Sequence, residues 1–435
     1  MGEGVLAAPV SSPAAAGWSR AADSVRCDAV PVDAIATAAG TPVYAYSASL
    51  IREQYARLTR ALAPVPHRVH YSAKANSSHS LLALLRGLGA GVDIVSGGEL
   101  FRATRAGFAG ADIVFSGVGK TERELREALA AEVLLVNVES GAELRLLARV
   151  ASQLGVIAPV ALRVNPEVVV DTPHHYTRTG ERGNKFGIPF EEARAVARLA
   201  LSLPSVRLAG LDMHIGSQVS RLDPYQQGMQ RLLALYLELR ADGAQDIRYL
   251  DLGGGLAVTY DDELPMDVDA FARAIVPAVA ESGLTLIVEP GRFLIGNAGA
   301  LVTRVLYRKS SGGHEYVIVD AGMTELLRPS HYNAFHRIEV SGPSGASGVF
   351  DIVGPVCESG DFFALDRTMA SVDPGALLVV HSAGAYGIVM ASTYNSRPRV
   401  PEVLVDGDRF AIITERETYD DLVRHEPTTP VWRSS

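Results

Sequence analysis

GVDIVSGGELFRATRAGFAGADIVFSGVGKTERELREALAAEVLLVNVESGAELRLLARV, residues 91–150, is the stretch that decides the fold. Three short β-branched runs within it, at 92–95, 112–116 and 133–137, alternate with segments of helical period. Soon after each run stands a Ser or Thr three residues ahead of a Glu: Ser96 with Glu99, Thr121 with Glu124, Ser140 with Glu143. That is the capping-box spacing, in which two otherwise unpaired backbone donors at a helix start are satisfied by side chains. A strand followed by a capped helix, repeated, implies parallel strands joined by right-handed crossovers.

Working outward, the same texture recurs at 68–73 upstream and at 159–164, 208–214, 248–252 and 285–289 downstream. Eight such units favour a closed (β/α)8 TIM-type barrel over an open doubly wound sheet. After about residue 300 the texture changes to ALVTRVLYRK, EYVIVDAG, ALLVVH, EVLVDGD and FAIIT, separated by Gly, Pro and Asp, which predicts a β-rich second domain. The early run PVYAY at 42–46 lies outside the eightfold count and is expected to join that second domain. The expected division is a flexible tail at 1–25, a joining segment at 26–46, the barrel at 47–300 and the C-terminal β-domain at 301–435.

With 435 residues, 48% of them hydrophobic, the chain can bury a sizeable core. A net charge of −9 without a long basic block argues against nucleic acid or an anionic membrane surface as partner and favours a small molecule. The two cysteines, Cys27 and Cys357, form no disulfide framework and no zinc pattern, so no metal is expected and a reducing cytoplasm suits the chain. The first residues lack a basic n-region, and no run of about 18 apolar residues occurs.

In barrels the working residues sit at the C-terminal ends of the strands. Lys74 closes the first run, His214 the sixth, Gly253-Gly254-Gly255 follows the seventh, and Glu289-Pro290-Gly291-Arg292 closes the eighth. Taken alone, a strand-end lysine is most often snorkelling or salt-bridged; desolvated, its amine becomes a Schiff-base nucleophile. The glycines are either turn punctuation or a nest whose backbone N–H groups approach an anion, and Ser217 either adds a hydroxyl there or caps a helix. Glu289 either pairs with Arg292 or faces a heterocyclic nitrogen, which it would hold protonated as an electron sink. An amine, a phosphate nest and a carboxylate for a ring nitrogen together describe a site for pyridoxal 5′-phosphate.

The motifs YSAKAN (71–76), GAGVDIVSGGEL (89–100), FSGVGK (115–120), RVNP (163–166), HIGSQ (214–218), LDLGGG (250–255), EPGR (289–292), LLRP (326–329), GPVCESGD (354–361) and GAYG (384–387) occur in the order seen in the barrel-type pyridoxal-dependent amino-acid decarboxylases. The chain resembles that family from about residue 40 to 420, most closely its diaminopimelate-specific members. The resemblance implies that Lys74 binds the cofactor covalently, that Glu289 meets the pyridine nitrogen and that His214 stacks on the ring. Ser217, Gly254, Gly255, Gly291 and Tyr386 then resemble phosphate contacts. Arg292, Arg328 and Tyr332 resemble the residues that hold a distal carboxylate, Glu358 the one that reads a distal ammonium, and Cys357 the acid that protonates Cα. It further implies a homodimer with shared sites, the Cys357-Glu358 loop coming from the partner chain.

Two stretches depart from the family pattern: Asp212-Met213 ahead of His214, and His174–Gly180 with an unexpected charge at Arg178. The competing readings are a relative acting on ornithine, lysine or a siderophore or antibiotic intermediate, a racemase on the same barrel, and a silent cofactor-binding descendant. Arg328, Tyr332 and Glu358 argue against the first, Glu289 and Cys357 against the second, and the presence of Lys74 and Cys357 against the third.

Overall fold

Eight strands pair in parallel and close on themselves: His67–Ser72, Gly91–Ile94, Ile113–Phe115, Leu135–Val138, Ala158–Asn165, Val206–Asp212, Tyr249–Asp251 and Thr285–Val288, the last returning to the first. This computed structural model describes residues 17–21, 24–170 and 183–433; Arg178 and most of the expected tail lie outside them. Strands such as Gly91–Ile94 and Leu135–Val138 are buried along their whole length, as parallel strands covered on both faces must be.

The barrel's interior changes character along the strands. Val114, Leu135, Ala161, Ala209 and Ile287 form a small apolar cluster of their own. Successive side chains of a strand alternate faces, so Ser116, Asn137, Arg163 and Glu289 lie two residues further on the same faces as Val114, Leu135, Ala161 and Ile287. The apolar layer therefore gives way to a polar one towards the C-terminal ends.

The outer ring differs from the expected β-then-α order at one place. The helix after the eighth strand is one short turn, Arg292–Ile295. Its place is taken by Ala48–Leu62, which precedes the first strand and packs between His79–Gly87 and Val268–Ser282. Of the three capping boxes, Thr121 with Glu124 forms in both directions. Ser96 and Ser140 accept from the N–H of Glu99 and Glu143 as expected, but those glutamates reach one residue further back, to the N–H of Val95 and of Glu139. Glu143 is drawn there while also gripping Lys120 Nζ at 2.8 Å.

The second domain is a mixed sheet in which Gly299–Ser311 is the central strand. Val43–Ser47 pairs antiparallel with that strand and parallel with Glu402–Asp406, so the chain enters the second domain, builds the barrel and returns. The expected flexible tail ends sooner than residue 25: Trp18–Ala21 and Ser24–Cys27 form a hairpin. Buried Trp18 donates from Nε1 to the carbonyl of Ala298 at 3.1 Å, which fixes this hairpin to the domain junction.

Candidate active site

Lys74 does not lie in the first strand but in the single 3-10 turn Ala73–Ala75 immediately beyond it. Its Nζ donates to Asp93 Oδ2 at 3.2 Å, from a side chain about a third exposed to a carboxylate fully buried at the end of the neighbouring strand. Burial pulls the amine down, but Asp93, Tyr386 and Glu289 outweigh burial and hold the ammonium above its usual range.

Glu289 follows the eighth strand and is buried; it makes no ion pair with Arg292. Its Oε1 accepts from Ser116 Oγ at 3.5 Å, and one oxygen each of Asp212, Asp251 and Glu289 lie within 4.8 Å of one another. Burial, then Asp251, Asp93 and Asp212, push the Glu289 carboxyl well above its ordinary value. Asp212 is raised by burial and by Asp251. Burial pushes Asp251 up to about 7, although it accepts from the N–H of Gly253 at 2.9 Å. Asp212 Oδ1, Asp251 Oδ2 and Asp93 Oδ1 are buried without a hydrogen-bond partner. Close by, the cations are already engaged: Lys74 with Asp93, and Arg163 with Glu139 at 3.0 Å and Asp212 at 4.0 Å. A surplus of buried carboxylates of this kind calls for a proton or a cation.

His214 stands two residues past the end of the sixth strand, not at its end, and is half-buried. Its Nδ1 accepts from the N–H of Gly254 at 3.2 Å, which fixes the proton on Nε2. Burial, with Lys74 and Arg163 adding to it, drives the imidazole well below its usual range, so the ring is neutral. The glycines turn out to be required by the protein's own packing. A Cβ on Gly254 would run into the carbonyl oxygen of Glu289, one on Gly255 (φ +94°) into that of Gly216, and one on Gly291 would lie 3.0 Å from Ala75 Cβ. These loops interlock with no space for a side chain between them.

On the far side of this loop cluster the charge reverses. Arg292 donates from Nη2 to Ser217 Oγ at 3.0 Å and from Nη1 to the Tyr260 hydroxyl, and its guanidinium lies 4.8 Å from the centre of the Tyr386 ring. Arg328, on the short helix Arg328–Tyr332, stacks on the same Tyr260 ring at 4.5 Å. Tyr332 is half-buried on that helix. Both arginines are buried, and neither has a carboxylate partner among the described residues. Burial pushes the Tyr260 phenol up, but Arg292 and Arg328 outweigh it and leave it below its ordinary value.

Cys357 and Glu358 are not brought into this cluster. Both are exposed on a turn that Asp361 ties down by accepting from the N–H of Val356 at 2.6 Å, and the Cys357 N–H donates to Asn395 Oδ1 at 2.9 Å. Beside Lys74 a groove of about 1020 Å³ opens between the barrel helices and the second domain, walled by Lys74, Glu99, Arg102, Tyr386 and Glu417.

Sequence reasoning passed over Asp93, Arg163, Asp251, Tyr260 and His336. Asp251 carried the same signal as Lys74, a charged residue at the end of an apolar run, whereas Asp93 sits inside its run, between Val92 and Ile94. Tyr260 and His336 carried none, since their partners are distant in sequence.

The donor set fits pyridoxal phosphate: one amine, buried carboxylates in need of a positive partner, and guanidinium, hydroxyl and backbone groups gathered at strand ends seven and eight. Comparison with known proteins agrees. The pyridoxal binding domain of pyridoxal-dependent decarboxylases matches residues 48–296. A Pseudomonas aeruginosa diaminopimelate decarboxylase is 48% identical over 93% of this chain and 97% of its own length. The Helicobacter pylori diaminopimelate decarboxylase complexed with L-lysine superposes with a TM-score of 0.88 at 38% identity, covering 91% of this chain and 99% of that one. The M. jannaschii enzyme, in co-complex with L-lysine, gives 0.90 at 33%, covering 96% and 99%. The chain therefore belongs to the pyridoxal-dependent decarboxylases, in the branch of the diaminopimelate decarboxylases.

Proposed function

We propose that this chain decarboxylates meso-2,6-diaminopimelate to L-lysine and CO2, the last step of lysine biosynthesis. The observation that carries the substrate choice is the pair of buried guanidiniums, Arg292 and Arg328, that have no carboxylate partner among the described residues. Decarboxylation removes one carboxylate, so a second cationic site is useful only to a substrate with another carboxylate far from the reacting carbon. Lysine and ornithine lack one.

Within that reading Lys74 presents the amine for the cofactor's aldehyde, and Glu289 faces the ring nitrogen across from a neutral His214. Ser217, Gly254, Gly255, Gly291 and Tyr386 hold the phosphate end, with Arg292 bracing Ser217. The cofactor supplies a sink for the electron pair left when CO2 departs. Arg292, Arg328 and Tyr332 hold the distal carboxylate, Glu358 reads the distal ammonium, and Cys357 returns a proton to Cα. Cys357 and Glu358 are exposed and stand apart from the Lys74 cluster among the described residues, which supports a homodimer in which each copy's turn completes its partner's site. The cytoplasmic setting rests on the two-cysteine composition; no described helix is long and apolar enough to cross a membrane.

The test is CO2 release by the cofactor-loaded protein from meso-diaminopimelate, with L-lysine and L-ornithine alongside. Consumption of diaminopimelate alone, with L-lysine as product, is the expected result. Equal turnover of lysine or ornithine would remove the role given to the arginine pair.

A further inference from the structure

Arg328 owes its orientation to a residue outside the site. Its Nη1 donates to His336 Nε2 at 2.9 Å, and His336 Nδ1 donates in turn to the carbonyl of His381 at 2.8 Å. Both bonds hold at once in a single tautomer, with the proton on Nδ1 and a lone pair on Nε2. His336 is fully buried, and its ring meets Tyr260 edge to face at 5.3 Å, on the same aromatic ring that Arg328 stacks on. The carbonyl that anchors it belongs to a rigid frame. His381 follows the strand Leu377–Val380, which pairs antiparallel with Ile338–Ser341, and its own Nε2 is held by Glu339 at 2.9 Å. The backbone of His336 is fixed as well, its carbonyl accepting from Arg367 Nη1 at 2.9 Å.

We propose that His336 is a positioning residue that sets substrate specificity, aiming the Arg328 guanidinium at the distal carboxylate without neutralising it. The choice of imidazole is what makes this work. A carboxylate at this place would orient an arginine equally well but would satisfy its charge and compete with the substrate's carboxylate. A neutral ring acceptor fixes one N–H of the fork and leaves the cation's charge for an anion. The inference rests on the reading of Arg328 as a carboxylate clamp.

The test compares His336→Asn with His336→Gln in the cofactor-loaded enzyme. Asn retains a donor near Nδ1 for the His381 carbonyl but is too short to reach Arg328; Gln carries an amide oxygen to the place of Nε2. Expected is a rise in KM for diaminopimelate of about tenfold or more for Asn, the range for a lost hydrogen bond to a charged group. For Gln a value near that of the wild type is expected, and for both variants an unchanged cofactor absorbance and little loss of kcat. In an Arg328→Ala background the Asn substitution should raise KM no further. Equal impairment of Asn and Gln, or a full additional rise on top of Arg328→Ala, reduces His336 to a packing residue and overturns the proposal. An Arg328→Ala enzyme with unaltered KM overturns the clamp reading itself, and the two failures are told apart by that single variant.

Discussion

The two ends of the site are opposites. At the ends of strands two, six, seven and eight, Asp93, Asp212, Asp251 and Glu289 crowd together with fewer cations than carboxylates, and several of their oxygens have no partner. Around Tyr260, at the junction with the second domain, two guanidiniums stand together, and among the described residues neither is paired with a carboxylate. A folded protein rarely leaves either imbalance buried, because an unpaired charge in a low-dielectric interior is expensive. Having both, side by side and of opposite sign, is the signature of a cavity built for a ligand that is positive at one end and negative at others. A pyridinium ring with a phosphate, carrying a substrate with a distal carboxylate, has that polarity.

The contrast can be broken first at Lys74, whose ammonium pairs with Asp93 in the acidic half. Lys74→Ala should lower CO2 release by about 10³-fold or more and release the cofactor on desalting, seen as loss of its visible absorbance. Retained absorbance with full turnover would place the chemistry elsewhere.

A second prediction reads the acidic half through pH. The folded value of Asp251 lies at about 7, above the ordinary 3.8 of an aspartate. A carboxyl raised by folding contributes stability that is fully present below its unfolded value and is lost as pH rises through the folded one. The cofactor-free protein should thus lose stability between about pH 4 and pH 7, and Asp251→Asn, which still offers an oxygen to the Gly253 N–H, should flatten that slope by a few kcal/mol. Thermal melts across this window check it; parallel slopes for the two proteins would show that folding does not raise the Asp251 carboxyl. The smallest effect belongs to the basic half. Tyr260→Phe keeps the ring under Arg328 but removes the acceptor for Arg292, and should raise KM for diaminopimelate about two- to tenfold, the worth of one hydrogen bond, with kcat little changed.

Much of this was legible in residues 91–150, because parallel strands buried on both faces and helices with capped starts both leave local patterns. The closing helix was not. Ala48–Leu62 stands before the first strand, and only the ring of helix contacts reveals that it fills the place left by the one-turn helix at Arg292. In the site, Lys74 and Glu289, with Arg292 three residues on, could be found as charges at the ends of apolar runs, and Asp251 could have been found by the same rule; Asp93 could not, because it lies inside its run. The protonation of Lys74 could not, since it depends on Asp93 and Glu289 approaching from other strands. Nor could the purpose of Gly254 and Gly255, whose missing side chains make room for the backbone of Glu289 and of Gly216.

The buried strand Val43–Ser47 sets an order on the birth of the molecule. Its antiparallel partner, Gly299–Ser311, emerges from the ribosome about 250 residues later, and its parallel partner, Glu402–Asp406, later still. At ordinary rates of translation that is a wait of roughly 10 to 50 s, longer than most small domains need to fold. The barrel can assemble in that interval while the strand hangs at its entrance with both edges bare. A nascent chain stalled near residue 300 is therefore the species most in need of a holdase, and a truncation there would leave a sticky edge where the complete protein has the middle of a sheet.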